Sequence, residues 1–456
     1  MTQPPPPTDG DLVEDPPGST VAPVPKAVLQ ALPPSPSRLL LVGADRRLGG
    51  ELEGLGYSVA ARLELDEDVA AALGQLDVDG SLVVLPQPGV VRLPEIEACL
   101  AEGHQLLRFE KQLEGGSRWL VTRRDPYVVR AYRPGDESQI VELFAGSFHH
   151  RRPLEHWRWE YRDHPLGGPF VSAAFDSGGR LVAHYAGYPA RFRKASGEVL
   201  SAFQIGDTMT VPEVRHVGRG PTSLLARTGR HFYARCCTGR VAFNYGFNVG
   251  NIQKFSTLFL RAERVEPVPF RRLSGPALDR LRAPRRRWPW HRIRTEEVQK
   301  LDERWDELFD RVAPSYGLLA ERRSKNLSWR YLERPGFDYR IHAAFRGRRL
   351  IAWGVFARRE ETLRWGDLLV DPAHPEALAE VLRSALGGEV GSGAQSVEAW
   401  LPDRPSWLRP GWSAMGFEAL PEPQDLSLMC VPFTRQGVAA ELRHDLFYTL
   451  GDSDLF

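Results

Sequence analysis

The chain has 456 residues, 42% of them hydrophobic and 26% charged, with 59 basic against 58 acidic side chains. That length predicts about three domains and is ample for sizeable cores. The near-zero balance excludes a uniformly basic nucleic-acid coat and an acidic solvating chain, while leaving room for local patches.

The amino-terminal stretch before Arg38 holds eleven prolines and one lysine, Lys26. Proline at that density removes backbone donors and blocks helix. Residues 1–37 are expected to form a disordered, partly polyproline II tail that solubilises the chain or docks to a partner. The tail lacks the basic start and apolar run of a secretory signal. Cys99, Cys236, Cys237 and Cys430 are too few and too irregular for a disulfide framework or a zinc site. A cytoplasmic location is expected on that ground. No run of about 18 apolar residues occurs, so no membrane helix is expected.

Residues 38–125 alternate strand and helix signals. Strands are expected at Arg38–Gly43, Tyr57–Ala60, Ser81–Leu85, Gln105–Phe109 and Arg118–Thr122. Helices are expected over 48–55, 66–76 and 94–102. The alternation predicts a small Rossmann-like α/β domain. The glycines after its first strand do not fit a dinucleotide fingerprint. A structural or docking role is expected instead.

Two later blocks look like copies of one α/β domain. Trp159, Tyr161 and Pro165 recur as Trp329, Tyr331 and Pro335, and Ala173-Ala174-Phe175 as Ala343-Ala344-Phe345, all 170 positions on. Gly206-Asp207 with Pro212 recurs as Gly366-Asp367 with Pro372 at a spacing of 160. The copies are expected over 127–273 and 300–435. Between them, 274–299 is read as a basic linker rich in arginine and tryptophan. Residues 436–456 are read as a C-terminal tail whose end, Gly451–Phe456, is expected to fray.

The copies differ after the strand that carries Asp207. The first reads Pro212-Glu213-Val214-Arg215-His216-Val217-Gly218-Arg219-Gly220-Pro221. Two glycines let backbone amides approach an anion, and a helix with Pro221 in its first turn would add positive charge. Arg215 and Arg219 add more. The second copy, Pro372-Ala373-His374-Pro375, has no such glycines and is expected not to hold a pyrophosphate.

The Arg215, Gly218, Gly220 pattern after a strand resembles the acetyl-CoA loop of the GNAT N-acetyltransferases. Val129–Asp136 resembles that family's first strand entering its first helix. Asn248, Asn251, Phe255 and Leu258-Phe259-Leu260 resemble its later motif, although Phe255 has no hydroxyl where the family often carries a tyrosine acid. The tandem arrangement is similar to two-lobed bacterial members, in which the second lobe can be degenerate.

The resemblance implies an α+β GNAT fold used twice. It implies acetyl-CoA, or another acyl-CoA, as co-substrate and a small amine or amino sugar as acceptor. Met209, Thr210 and Val211 would hold the pantetheine arm, and Arg215, His216, Val217, Gly218, Arg219 and Gly220 the pyrophosphate, with Asn248 nearby. Asp207 would be the base and Tyr245 the acid toward the leaving thiolate. In some two-lobed relatives the terminal carboxylate is the base. No metal and no nucleic acid are expected. The alternatives are a non-catalytic CoA-binding scaffold, docking through the tail and first domain, and an aminoacyl transferase of the peptidoglycan-bridge type.

Overall fold

The computed structural model describes residues 127–456 except 177, 216, 219, 284–292, 435 and 436, with backbone alone at 221 and 251. Before residue 127 it describes five strands and a helical stretch at 50 and 52–54. The proline tail, the helices expected over 66–76 and 94–102, and the centre of the arginine-rich stretch lie outside the described residues. The chain divides into two compact units, Met1–Val128 and Val129–Phe456.

In the first unit, β1 (Arg38–Val42), β2 (Ser58–Leu63), β3 (Leu82–Leu85), β4 (Gln105–Lys111) and β5 (Ser117–Arg123) form one sheet in the order β2-β1-β3-β4-β5. Pairing is parallel except for the antiparallel β4–β5 pair.

The second unit contains two mixed sheets. Its first half provides β6 (Val128–Ala131), β7 (Phe170–Phe175), β8 (Leu181–Lys194), β9 (Val199–Thr210), β10 (Phe243–Asn248), β11 (Glu263–Pro267) and β12 (Phe270–Ser274). Its helices are α1 (Glu137–Phe148), α2 (Leu154–Trp157), α3 (Leu224–Phe232), α4 (Gly250–Leu260) and α5 (Gly275–Arg282). The second half provides β13 (Ile293–Val298), β14 (Leu318–Ala320), β15 (Arg340–Arg346), β16 (Arg349–Arg359), β17 (Thr362–Val370), β18 (Ser396–Trp400), β19 (Glu418–Ala419), β20 (Ser427–Pro432) and β21 (Leu446–Phe447). Its main helices are α6 (Glu303–Val312), α7 (Ser324–Leu327), α8 (Ala377–Gly387), α9 (Arg409–Met415) and α10 (Val438–Asp445). The helices follow their apolar spacing. In α6, Trp305, Leu308, Phe309 and Val312 are buried on one face, and the Asp302 carboxylate caps the start through the Arg304 amide at 3.0 Å.

The two halves exchange strands. β20, from the end of the second copy, lies between β10 and β11 and pairs antiparallel with both. β12, from the end of the first copy, lies between β18 and β19 in the other sheet. Each copy therefore completes the sheet of its neighbour. The basic linker expected over 274–299 is correspondingly shorter, because α5 and β13 are regular elements within it. Leu278 and Leu281 of α5 are buried, which anchors that helix to the core.

The Trp159–Trp329 pair joins the copies. The two indoles stack with centroids 4.6 Å apart and planes 16° from parallel. Trp159 Nε1 donates to the Trp329 carbonyl at 2.8 Å, and Trp329 Nε1 donates to the Trp159 carbonyl at 3.2 Å. The reciprocal contact marks a local two-fold axis between the lobes. Trp329→Ala removes the stack and leaves the Trp159 N–H without its present geometry. It should cost about 3–5 kcal/mol, read as a lower midpoint in urea unfolding.

The end of the chain is ordered, contrary to the frayed tail expected. Thr449 and Asp452 form a capping box around the turn Leu450–Asp452. The Phe456 ring packs 4.9 Å from the Tyr339 ring and against Gly366. Arg334 donates to the Phe456 carbonyl, and Arg330 to that of Ser453. These partners lie far away in sequence, so the local polar composition does not reveal them. Among the described residues no helix is long and apolar enough to cross a membrane.

Candidate active site

β9 and β10 run parallel only where Ala202–Gln204 face Phe243–Tyr245. Beyond that point both strands continue, but β10 stays paired to β20 through Asn248. The strands part, and a cavity of about 210 Å³ opens between them. Gly206, Asp207 and Thr208 line one wall, and Gly246, Phe247 and Asn248 the other. Phe148, Val249, Ile252 and Leu455 stand partly exposed at its lining.

β9 carries one extra residue opposite β8, because His184 faces Met209 while Ala186 faces Gly206. This bulge puts Asp207 at φ +49° and turns the strand at the cavity. Successive amides of a strand point to opposite edges. The Val211 amide donates to the Val182 carbonyl at 3.0 Å. Val211, and by the alternation Met209, therefore turn their amides toward β8. Thr210 turns its amide to the open edge.

The loop expected to cradle a phosphate ends in a helix, but later than expected. Pro221 lies in a 3₁₀ turn, Gly220–Thr222, and α3 begins at Leu224 behind Ser223. The Ser223 hydroxyl accepts from the Ala226 amide at 3.4 Å, so serine rather than proline sets the helix start. Gly218 has φ +69°, and a Cβ there would sit 2.4 Å from the Thr222 carbonyl oxygen. Gly220 has φ +58°, with the Phe259 ring 3.1 Å from where a Cβ would be. Both positions require glycine. Arg215 is exposed. His216 and Arg219 lie outside the described residues. Asn248 Nδ2 donates to Ser256 Oγ at 3.2 Å on the cavity wall.

In the second copy, the corresponding turn closes on itself. The Asp371 carboxylate accepts from the Ala373 amide and from Arg311 Nε, each at 3.0 Å. Beside it, the Phe456 ring occupies the space next to Gly366, where a Cβ would approach within 1.9 Å. The corresponding Gly206 of the first copy faces the cavity.

Asp207 is buried in an ion pair with Arg152, whose other branch binds Glu160 at 2.8 Å. Its backbone carbonyl lies 2.7 Å from His184 Nδ1. That carbonyl can only accept, so Nδ1 carries the proton and Nε2 is left bare and buried. Burial pushes the His184 pKa down, and the imidazole is neutral. The duplication repeats this device. Arg322, 170 positions after Arg152, binds Asp367 at 2.9 Å and Asp452 at 2.5 Å. Arg152 follows His149, His150 and Arg151 in a basic run of the sequence. It is buried, and the 170-residue spacing to Arg322 was the available signal.

His184 and Tyr185 point to opposite faces of β8. Tyr185 meets Tyr233 on the α3 side, hydroxyl to hydroxyl at 2.8 Å. Tyr245 lines the cavity as the last residue of β10 paired to β9. Burial pushes its hydroxyl pKa up, so the group stays protonated.

Sequence reasoning missed Asp454. Gln204 holds its backbone amide at 2.8 Å and also reaches the Tyr245 hydroxyl at 3.1 Å. The Asp454 side chain lines the cavity, with Oδ2 3.7 Å from where a Gly206 Cβ would be. Burial first, and then the neighbouring Asp207, push its carboxyl up to about 6.

Residues 128–255 match the sequence profile of the acetyltransferase (GNAT) domain family. A GCN5-related N-acetyltransferase from Kribbella flavida has 14% identity and a TM-score of 0.49, over 67% of this chain and 72% of that one. A protein from Enterococcus faecalis, described as a probable N-acyltransferase, has 12% identity and a TM-score of 0.49, over 67% and 73%. No curated protein matches the chain. Residues 128–255 are a GNAT N-acetyltransferase domain, followed in the same chain by a second sheet.

Proposed function

We propose that the first lobe transfers an acyl group from an acyl-CoA, with acetyl-CoA the first choice, directly to an amine on a small molecule. The observation that carries this reading is the parting of β9 and β10 beside a glycine loop and the start of α3. A strand gap can admit a thin arm, and a helix start favours an anion. Gly218 and Gly220 fit the group by letting the loop turn tightly, since a Cβ at 218 would meet the Thr222 carbonyl and one at 220 the Phe259 ring. Arg215, Val217, Gly218 and Gly220 would hold the pyrophosphate, and Thr210 the pantetheine. When bound, the co-substrate supplies the thioester.

The chain's own residues handle the protons. An alkylammonium has a pKa of about 10 and must lose a proton before it can attack. Asp454 takes that role in place of Asp207, because the Asp207 carboxylate is already held by Arg152. Tyr245, at the apex of the gap, donates from its hydroxyl to the departing sulfur. The second lobe, its turn closed and its glycine covered by Phe456, serves as support. The free, buried thiols of Cys236, Cys237 and Cys430 suit a reducing cytoplasm.

Calorimetric titration of acetyl-CoA tests the reading. The wild type should bind it with saturable heat, and Gly218→Glu should weaken binding at least tenfold. No heat with wild type would falsify the CoA assignment.

A further inference from the structure

A second cavity, of about 160 Å³, adjoins the first. Gln424, Leu426 and Leu455 line both. Phe247 of the first and Trp400 of the second have ring centroids 4.9 Å apart. Two guanidinium groups line the second cavity, Arg359 at the end of β16 and Arg364 on β17.

The carboxylates around it already have partners. Glu398 Oε1 accepts from Arg272 Nη2 at 2.5 Å. Glu422 Oε2 accepts from the amides of Gln424 at 2.8 Å and Leu426 at 3.0 Å. Among the described residues, neither Arg359 nor Arg364 has an ion-pair partner. The one hydrogen bond of Arg364 runs to the Leu455 carbonyl at 3.5 Å, at the limit of such a contact. Burial, and then Arg359, push the Arg364 pKa down. Glu398 and Glu422 line the same cavity and pull the Arg364 pKa the other way, but neither carboxylate forms an ion pair with Arg359 or Arg364.

We propose that this cavity is a subsite for an anionic group, carboxylate or phosphate, on the acceptor. The proposal rests on the acyltransferase reading above and narrows it to an amine that also bears an acid. Asp454 faces the amine, and Arg359 and Arg364 take the anion. Leu455, next to Asp454 in the chain, lines both cavities, so one small molecule can reach from one into the other. A planar guanidinium suits either oxyanion by paired hydrogen bonds.

Acetate and inorganic phosphate, titrated separately into the full chain, test the subsite and distinguish the two chemistries. At least one should bind saturably. Arg364→Met and Arg359→Met should each weaken that binding at least tenfold, while leaving acetyl-CoA binding unchanged. The unchanged acetyl-CoA titration also reports that the variants are folded. Gly218→Glu should leave the anion binding intact, which separates this subsite from the loop. Absence of saturable binding by either anion, or binding unaltered in both arginine variants, overturns the proposal. If acetyl-CoA fails to bind the wild type while the arginine-dependent anion binding persists, the acyltransferase reading fails and the anion site stands.

Discussion

Asp454→Asn should lower kcat for amine acylation by about 10²-fold or more and leave the Kd for acetyl-CoA unchanged. The substitution keeps the shape of the side chain and removes its basic oxygen. The backbone amide held by Gln204 is untouched, so the tail should stay in place. The pH profile carries the sign. A base works only when deprotonated, and the Asp454 carboxyl is pushed up to about 6 by burial and by Asp207. The wild-type rate should therefore fall as pH drops through about 6, and the variant should lack that limb. Asp207→Asn removes the neighbouring negative charge, lowers the Asp454 pKa and moves the limb to lower pH. If Asp207→Asn abolishes transfer and Asp454→Asn does not, the assignment of the base is reversed.

Arg322→Met should destabilise the protein by about 3–5 kcal/mol, because it leaves buried carboxylates without a counter-charge. Arg322 is 1% exposed and binds both Asp367 and Asp452. Tyr331 and Thr449 each donate to Asp367 at 2.9 Å, but neutral donors do not replace the charge. Burial already pushes Asp452 up, and loss of Arg322, its largest opposing influence, pushes it further. A folded pKa raised above the unfolded value favours the native state at low pH and loses that advantage as pH rises through it. The deficit should thus be largest at neutral pH and shrink on acidification. Urea unfolding across that range reads it, and a deficit that is the same at every pH would contradict the charge argument.

Much of the architecture was legible in the chain. The 170-residue spacing exposed the duplication, with Trp159 recurring as Trp329, the pair that stacks between the copies. The glycines of the loop were legible because the backbone at 218 and 220 tolerates no side chain. The strand exchange was not legible. β20 is a continuous apolar run and β12 sets Phe270 and Leu273 around two arginines, patterns that suit either sheet, so pattern alone names no partner. The helix start was misplaced because Pro221 is a stronger visible signal than Ser223, although a capping hydroxyl decides the boundary. Asp454 escaped notice because Gly451–Phe456 looks like a polar end. Its order comes from Gln204, Arg330 and Arg334, and no local rule links residues so far apart.

The strand exchange also governs how the protein is made. β10 emerges from the ribosome long before β20, its partner along the whole strand. Until then, one edge of the first sheet has open hydrogen-bonding groups, a template for wrong pairing on a nascent chain. Pairing across so long a stretch of sequence is slow to form. Met429, Cys430 and Val431 line the cavity between β9 and β10, so its wall is completed only after most of the second half is made. The cavity of the first lobe therefore lacks part of its wall until the second half has been translated.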